Sequence, residues 1–329
     1  MTRRLFLTTT GRIALASALA ACTLAAQTTQ AAPKQVRLVV PFPPSGNLDT
    51  ITRLVAERMQ PTFGTVIVEN RSGANGNIGA ENVYNAAPDG GTLMVAPYGP
   101  LAVNKNLYPK LSYDSDQFVP VAMLASVPNV LAINPSLPVN SLAEFITYVK
   151  ANPGKVAFAS QGSGSSSHLA AELFMQLTGT KMLHVPYKGT GPAIVDLLGG
   201  QVSVFFDTLS SSGKYQKSGK LKILAVADSK RSALLPEVPT FAEAGPPAMK
   251  DMLANAWYAV VAPPKTPADI VARYEKVISA AIAAPDMKQK FAEMGIDPFV
   301  ANSADTGAFI RKETVKWGQV IRAGQISVD

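Results

Sequence analysis

Cysteine is almost absent. Cys22 stands alone in 329 residues, so no intramolecular disulfide can form. Histidine is nearly as scarce, with His168 and His184 only. A zinc site would have to be built almost entirely from carboxylates, which excludes the usual structural metal centres, and no metal or other cofactor is expected. Charged residues are sparse at 16% and aromatics amount to 7%, while 47% of the chain is hydrophobic. That balance describes a globular protein with a large core and about two domains. The formal charge is +7, of which Arg3, Arg4 and Arg12 supply three from a leader, leaving +4. So mild and scattered an excess argues against nucleic acid as a partner, and it suits a small acidic ligand.

Residues 1–31 read as an export signal. Thr2-Arg3-Arg4-Leu5-Phe6-Leu7 is a basic start similar to a twin-arginine pattern, and Ile13 to Ala26 is an uncharged, alanine-rich run too short to span a bilayer. Thr29-Gln30-Ala31 offers small residues to a signal peptidase. Leu19-Ala20-Ala21-Cys22 competes with that reading, because it is similar to a lipobox that would place a lipid on Cys22. Both readings put the mature protein in the periplasm, where ATP and NAD(H) are scarce.

The most informative stretch is Val36 to Met59. Val36 to Val40 is a β-branched run stopped by Pro41, and Phe42-Pro43-Pro44-Ser45-Gly46 is a breaker-rich loop. Asn47 or Asp49 is expected to cap a helix that shows Ile51, Leu54, Val55 and Met59 on one face. A strand feeding a glycine turn and a helix start presents backbone N–H groups at the positive end of a helix dipole, which favours an anion.

The same design returns further on. Val66 to Asn70 is a strand followed by Gly73, Gly76 and Gly79, spaced G-x-x-G-x-x-G rather than as a dinucleotide fingerprint. A helix is expected over 78–87, and the strand Thr92 to Ala96 ends at the loop carrying Tyr98. Pro128 to Asn134 reads as a strand and Ser141 as the cap of the next helix. Val156 to Ser160 leads into Gln161-Gly162-Ser163-Gly164-Ser165-Ser166-Ser167, whose backbone and hydroxyls can close on an oxyanion, and then into a helix from His168. Leu183 to Tyr187 precedes Lys188-Gly189-Thr190-Gly191 and a helix with Pro192 in its first turn. Val202 to Phe206 ends at Asp207, able either to cap the next segment or to meet a ligand amine. Trp257 to Pro263 is the last strong strand, followed by helices capped at Thr266 and starting near Ser303. Strands and helices alternate throughout, so the class is α/β.

In order along the chain, these motifs resemble the Bug family, the periplasmic substrate-binding proteins of tripartite tricarboxylate transporters. The resemblance rests on Val39-Val40-Pro41-Phe42-Pro43 with Ser45-Gly46 and Asp49, on Val68-Glu69-Asn70-Arg71 with Gly73-Ala74 and Gly76-Asn77-Ile78-Gly79, and on Ala87-Pro88-Asp89-Gly90. Gly162 to Leu169, Val185-Pro186-Tyr187-Lys188-Gly189, Leu235 to Thr240 and Pro263 to Pro267 complete it.

The resemblance implies a two-lobed, type II Venus-flytrap fold with a mixed sheet in each lobe and crossing hinge strands. Lobe one would be residues 33–128 plus 256–329, and lobe two 129–255. A small carboxylate, organic acid or amino acid, would bind between the lobes of a monomer and pass to the transporter's membrane subunits. Carried over by position, the ligand residues are Phe42, Ser45, Gly46, Asn47 and Asp49 in one loop, and Ser160, Gly162, Ser163, Gly164, Ser166 and His168 in the other. Asn77, Tyr98, Tyr187 and Asp207 join them from the other strand ends. Asn47-Leu48 stands where the family often has proline or a small residue with threonine, so the ligand's identity is not inherited.

Two enzyme readings compete. Ser165 to Ser167 beside His168 suggest a secreted serine hydrolase, but the loop has no G-x-S-x-G elbow, and a histidine adjacent in sequence is badly placed to activate its neighbours. A nucleotide-dependent oxidoreductase fails on glycine spacing and on compartment.

Overall fold

Val36, Leu38, Val39 and Val40 are all fully buried in the first strand, β1 (Gln35–Val40). A strand covered on both faces belongs in the middle of a sheet. In the computed structural model, which describes residues 35–328, β1 is flanked in parallel by β2 (Thr65–Asn70) and β3 (Thr92–Pro97). The leader and Cys22 lie outside the described residues. The remaining strands are β4 (Val119–Ile133), β5 (Ala157–Ser160), β6 (Leu183–Pro186), β7 (Val204–Thr208), β8 (Lys222–Val226), β9 (Asn255–Ala262) and β10 (Asp297–Pro298). The helices are α1 (Asn47–Phe63), α2 (Asn77–Tyr84), α3 (Asn104–Leu107), α4 (Leu142–Ala151), α5 (Ser166–Thr178) and α6 (Thr190–Leu198). They continue with α7 (Leu209–Lys217), α8 (Phe241–Ala244), α9 (Ala268–Ala283), α10 (Pro285–Glu293) and α11 (Ser303–Gly324).

The fold is two-lobed, with a mixed sheet in each lobe. The first sheet runs β2-β1-β3-β9-β4-β10, and the second runs β8-β4-β7-β5-β6. Strand β4 belongs to both: its residues 119–128 pair antiparallel with β9, and residues 129–133 pair with β7 and β8. The chain crosses back through Ala227, whose N–H donates to Asn129 O and whose carbonyl accepts from Ala254 N–H. Only the second half of β4 is legible as a strand, because Pro120 and Pro128 interrupt the run. The structure accommodates the first half with register shifts at Pro120/Ala122 and Met123/Ala125, the irregularities at which sheets tolerate such breaks.

Helix starts follow local chemistry, with several shifts from expectation. Ser141 caps α4 by accepting from Glu144 N–H, and Thr240 and Glu243 form a reciprocal capping box on α8. Gly46, not Asn47 or Asp49, is the N-cap of α1. Ser165 caps α5, so that helix begins at Ser166 rather than His168. Thr266 does not cap α9, since its hydroxyl donates to Pro263 O. Helix α2 stops at Tyr84, where Asn85 turns its amide back onto Glu81 O.

Helices α1 and α9 bury Ile51, Val55, Met59, Ile278 and Ile282 against the first sheet, and α6 buries Ile194 and Leu197 against the second. A further core links both sheets, running from Tyr98 and Trp257 to Phe158 and Phe206. Each such large apolar side chain contributes about 1.5–3 kcal/mol on full burial.

Candidate functional site

The loops after β1, β3, β5, β6 and β7 converge on a cleft of about 580 Å³. All lie at the C-terminal ends of parallel strands, where ligands sit in open α/β sheets. Helices α1, α5, α6 and α7 begin there, for Gly46, Asn47, Ser165, Ser166, Gly189, Thr190 and Thr208 all line the cleft. The first N–H groups of a helix have no partner within it, so these starts aim backbone donors and positive dipole ends at one volume. Lys188 is the only charged side chain on the lining, among the described residues. Phe42, Pro43, Pro44, Leu48, Tyr98 and Tyr258 supply apolar walls. Gly76 (φ +88) lets Phe42 and Pro100 approach its backbone: a Cβ there would stand 2.7 Å from Pro100 and 3.1 Å from the Phe42 ring.

Of the residues expected at the site, Phe42, Gly46, Asn47, Tyr98, Gly164 and Ser166 line the cleft. The others stand outside the lining. Asp49 is buried and braces the first loop: its carboxylate accepts from Ser45 N–H, Asn70 Nδ2 and both Nε and Nη2 of Arg53, each at 3.0 Å. Burial pushes this carboxyl up, but the hydrogen bonds outweigh it and hold the group below the usual carboxylate range. Ser45 is spent on the turn itself, with φ +74. Asn77 accepts from Tyr113 and Asn104, and Asn104 in turn accepts from Asn75, which does reach the cleft. Tyr187 donates to Asp196 at 2.7 Å, and Ser163 points to solvent.

The second loop rests on a buried polar layer. Ser160 accepts from Gly162 N–H and bonds His184 Nε2 at 2.7 Å. His168 accepts from Gly164 N–H at its Nδ1. Ser165 and Ser167 bond each other and the loop backbone. Ser160 is fully buried, so its histidine contact cannot serve a nucleophile that meets substrate. Asp207 is also fully buried, accepting from Ser212 Oγ and from Gln161 Nε2. Burial pushes its carboxyl up, against the opposing hydrogen bonds. It therefore sets the amide of Gln161, a lining residue.

Sequence reasoning passed over Gln161, Asn75, Thr208, Ala256 and Tyr258. The last two carried a signal: β9 alternates, so Ala256 and Tyr258 face the cleft while Trp257 faces the other way. On that far side Glu313 accepts from the indole N–H groups of both Trp257 and Trp317, at 3.1 and 2.8 Å, and pairs with Lys316. Tyr98 packs against both indoles, with centroids 6.2 and 6.3 Å away, and donates to Gly164 O at 3.4 Å.

The tripartite tricarboxylate transporter family receptor model matches residues 51–326. Protein BugT of Bordetella pertussis is 39% identical over 313 residues, covering 94% of each chain. A solved Rhodopseudomonas palustris protein, Rpa4515 with adipate, superposes with a TM-score of 0.80 at 34% identity, covering 90% of this chain and 99% of that one. MatC from the same species, with bound malate, gives 0.75 at 33% identity over 88% and 99%. With its fold and cleft in that company, the chain belongs to the tripartite tricarboxylate transporter receptors, the Bug family of periplasmic solute-binding proteins.

Proposed function

We propose that this protein captures a small carboxylate between its lobes and delivers it to the membrane subunits of a tripartite tricarboxylate transporter. One observation carries the reading. Helix starts α1, α5, α6 and α7 and the Lys188 ammonium surround a cleft whose lining holds no carboxylate. Such a site is built for an anion, and its apolar walls suit a hydrocarbon body. The adipate and malate held by its structural relatives support the same ligand class.

The lobes divide at 128/129 and 255/256 and close by a hinge motion about the β4 and 227–255 crossings. The protein acts as a periplasmic monomer without turnover, released by cleavage after Ala31 or tethered by lipid at Cys22. A thermal-shift panel of mono-, di- and tricarboxylates, aromatic acids and amino acids tests the reading. An acid at 100 times its dissociation constant adds about 2.7 kcal/mol. No stabilisation by any acid of the panel, or hydrolysis of a generic ester, overturns it. X-ray scattering without compaction at saturating ligand overturns the hinge.

A further inference from the structure

The chain's two histidines are stacked on one another beneath the second ligand loop, with ring centroids 3.8 Å apart and planes within 7°. Phe158 lies beside the pair, its centroid 5.0 Å from His184 and 6.3 Å from His168. Each ring holds one end of the loop. His168 Nδ1 accepts from Gly164 N–H at 3.1 Å, which requires a lone pair on that nitrogen. His184 Nε2 bonds Ser160 Oγ, which itself accepts from Gly162 N–H. Ser160 Oγ keeps a second acceptor site and its own proton, so it can accept from or donate to His184 Nε2.

We propose that His168 and His184 are paired positioning residues that keep residues 161–165 in their ligand-gripping shape only while His168 is neutral, so that a proton on its Nδ1 loosens the loop and weakens anion binding. A proton on His168 Nδ1 would face the Gly164 N–H donor, and a second cation 3.8 Å away would repel the first. Glu172, on α5, is the carboxylate facing the pair, 3.6 Å from His168 Nε2. Its other oxygen lies toward Gly324 of α11. From β5 the stack meets uncharged Phe158 and Ser160, and the charge acting on His184 is that of His168. Burial first, and then His168, push His184 down to about 4, in keeping with a ring held neutral.

The inference rests on the carboxylate-binding reading, and its test separates the two. Hydrogen exchange of backbone 160–168 is followed in the unliganded full chain at about pH 7.5 and about pH 4.5, corrected for intrinsic exchange. Adipate affinity is measured in parallel by calorimetry. Wild type is expected to lose loop protection at the lower pH and to bind adipate about tenfold more weakly relative to His168→Asn, whose uncharged acceptor flattens the profile. The wild-type/variant ratio at each pH cancels titration of adipate itself. His168→Leu should lose loop protection at both pH values, and His168→Asn, which restores an acceptor near Nδ1, should recover it. Equal protection at both pH values in wild type, or the same profile in His168→Asn, overturns the proposal. If no acid of the panel binds at either pH, that speaks against the carboxylate reading, while loop exchange still decides the histidine pair.

Discussion

Asn47 Nδ2 donates to Ser210 Oγ at 3.0 Å, joining the first residue of α1 to the second residue of α7 across the cleft. The two helices grow from different sheets, so this bond forms only when their ends approach. Asn47→Ala removes one neutral hydrogen bond, worth about 0.5–1.5 kcal/mol. Affinity for the best acid of the panel should fall by up to about tenfold with little change in melting temperature. Calorimetry beside a thermal melt checks this; a fall in melting temperature with unchanged affinity would assign the bond to folding instead.

Gly164 and Ser163 should behave oppositely. A Cβ on Gly164 (φ +76) would stand 2.2 Å from Leu107 Cδ2 of α3, behind the cleft lining. Gly164→Val should therefore keep the lobes apart and nearly abolish binding in a folded protein, as circular dichroism would verify. Ser163→Ala, at an exposed residue outside the lining, should bind almost normally. Normal binding by Gly164→Val would show that closure does not bring Leu107 against the loop.

Asp207→Asn tests a buried carboxylate that acts through its neighbour. Its pKa is raised in the folded state, so the native protein holds this proton more tightly than the unfolded chain does. Stability then falls as pH rises through a window that opens at the ordinary carboxylate value of about 4 and extends upward. The amide variant should lack that fall and be at least as stable as wild type at neutral pH. It should nonetheless bind more weakly, because Gln161 is no longer oriented by an obligate acceptor. Melting temperature against pH, with calorimetry at neutral pH, reads both effects.

Chelation should be without effect. Among the described residues no group of three histidine, cysteine, aspartate or glutamate side chains is placed to hold a metal. Ligand affinity should be the same with and without EDTA, and a loss restored by a divalent cation would contradict this.

The sequence was most legible where structure is local. The β1 run, its breaker loop and the Ser141 cap depend on residues a few positions apart. Asp49 was misread because its spacing puts it at a helix start, while its role is fixed by Asn70 on a neighbouring strand. The Gln161–Asp207 and His168–His184 pairs escaped for the same reason, being made by sheet neighbours rather than by any motif. In β4 the two prolines hid a long strand whose continuity depends on partners on both sides.

The carboxylate of Glu313 holding both indoles has an optical consequence. The chain has only these two tryptophans, so all of its indole fluorescence originates at one spot, on the side of β9 turned away from the cleft. Tyr98 stands between that spot and Gly164. Lobe movement thus reaches the only strong natural fluorophores through Tyr98 and through the α5–α11 contact at Gln176 and Val320, and the unmodified protein carries its own emission gauge of closure.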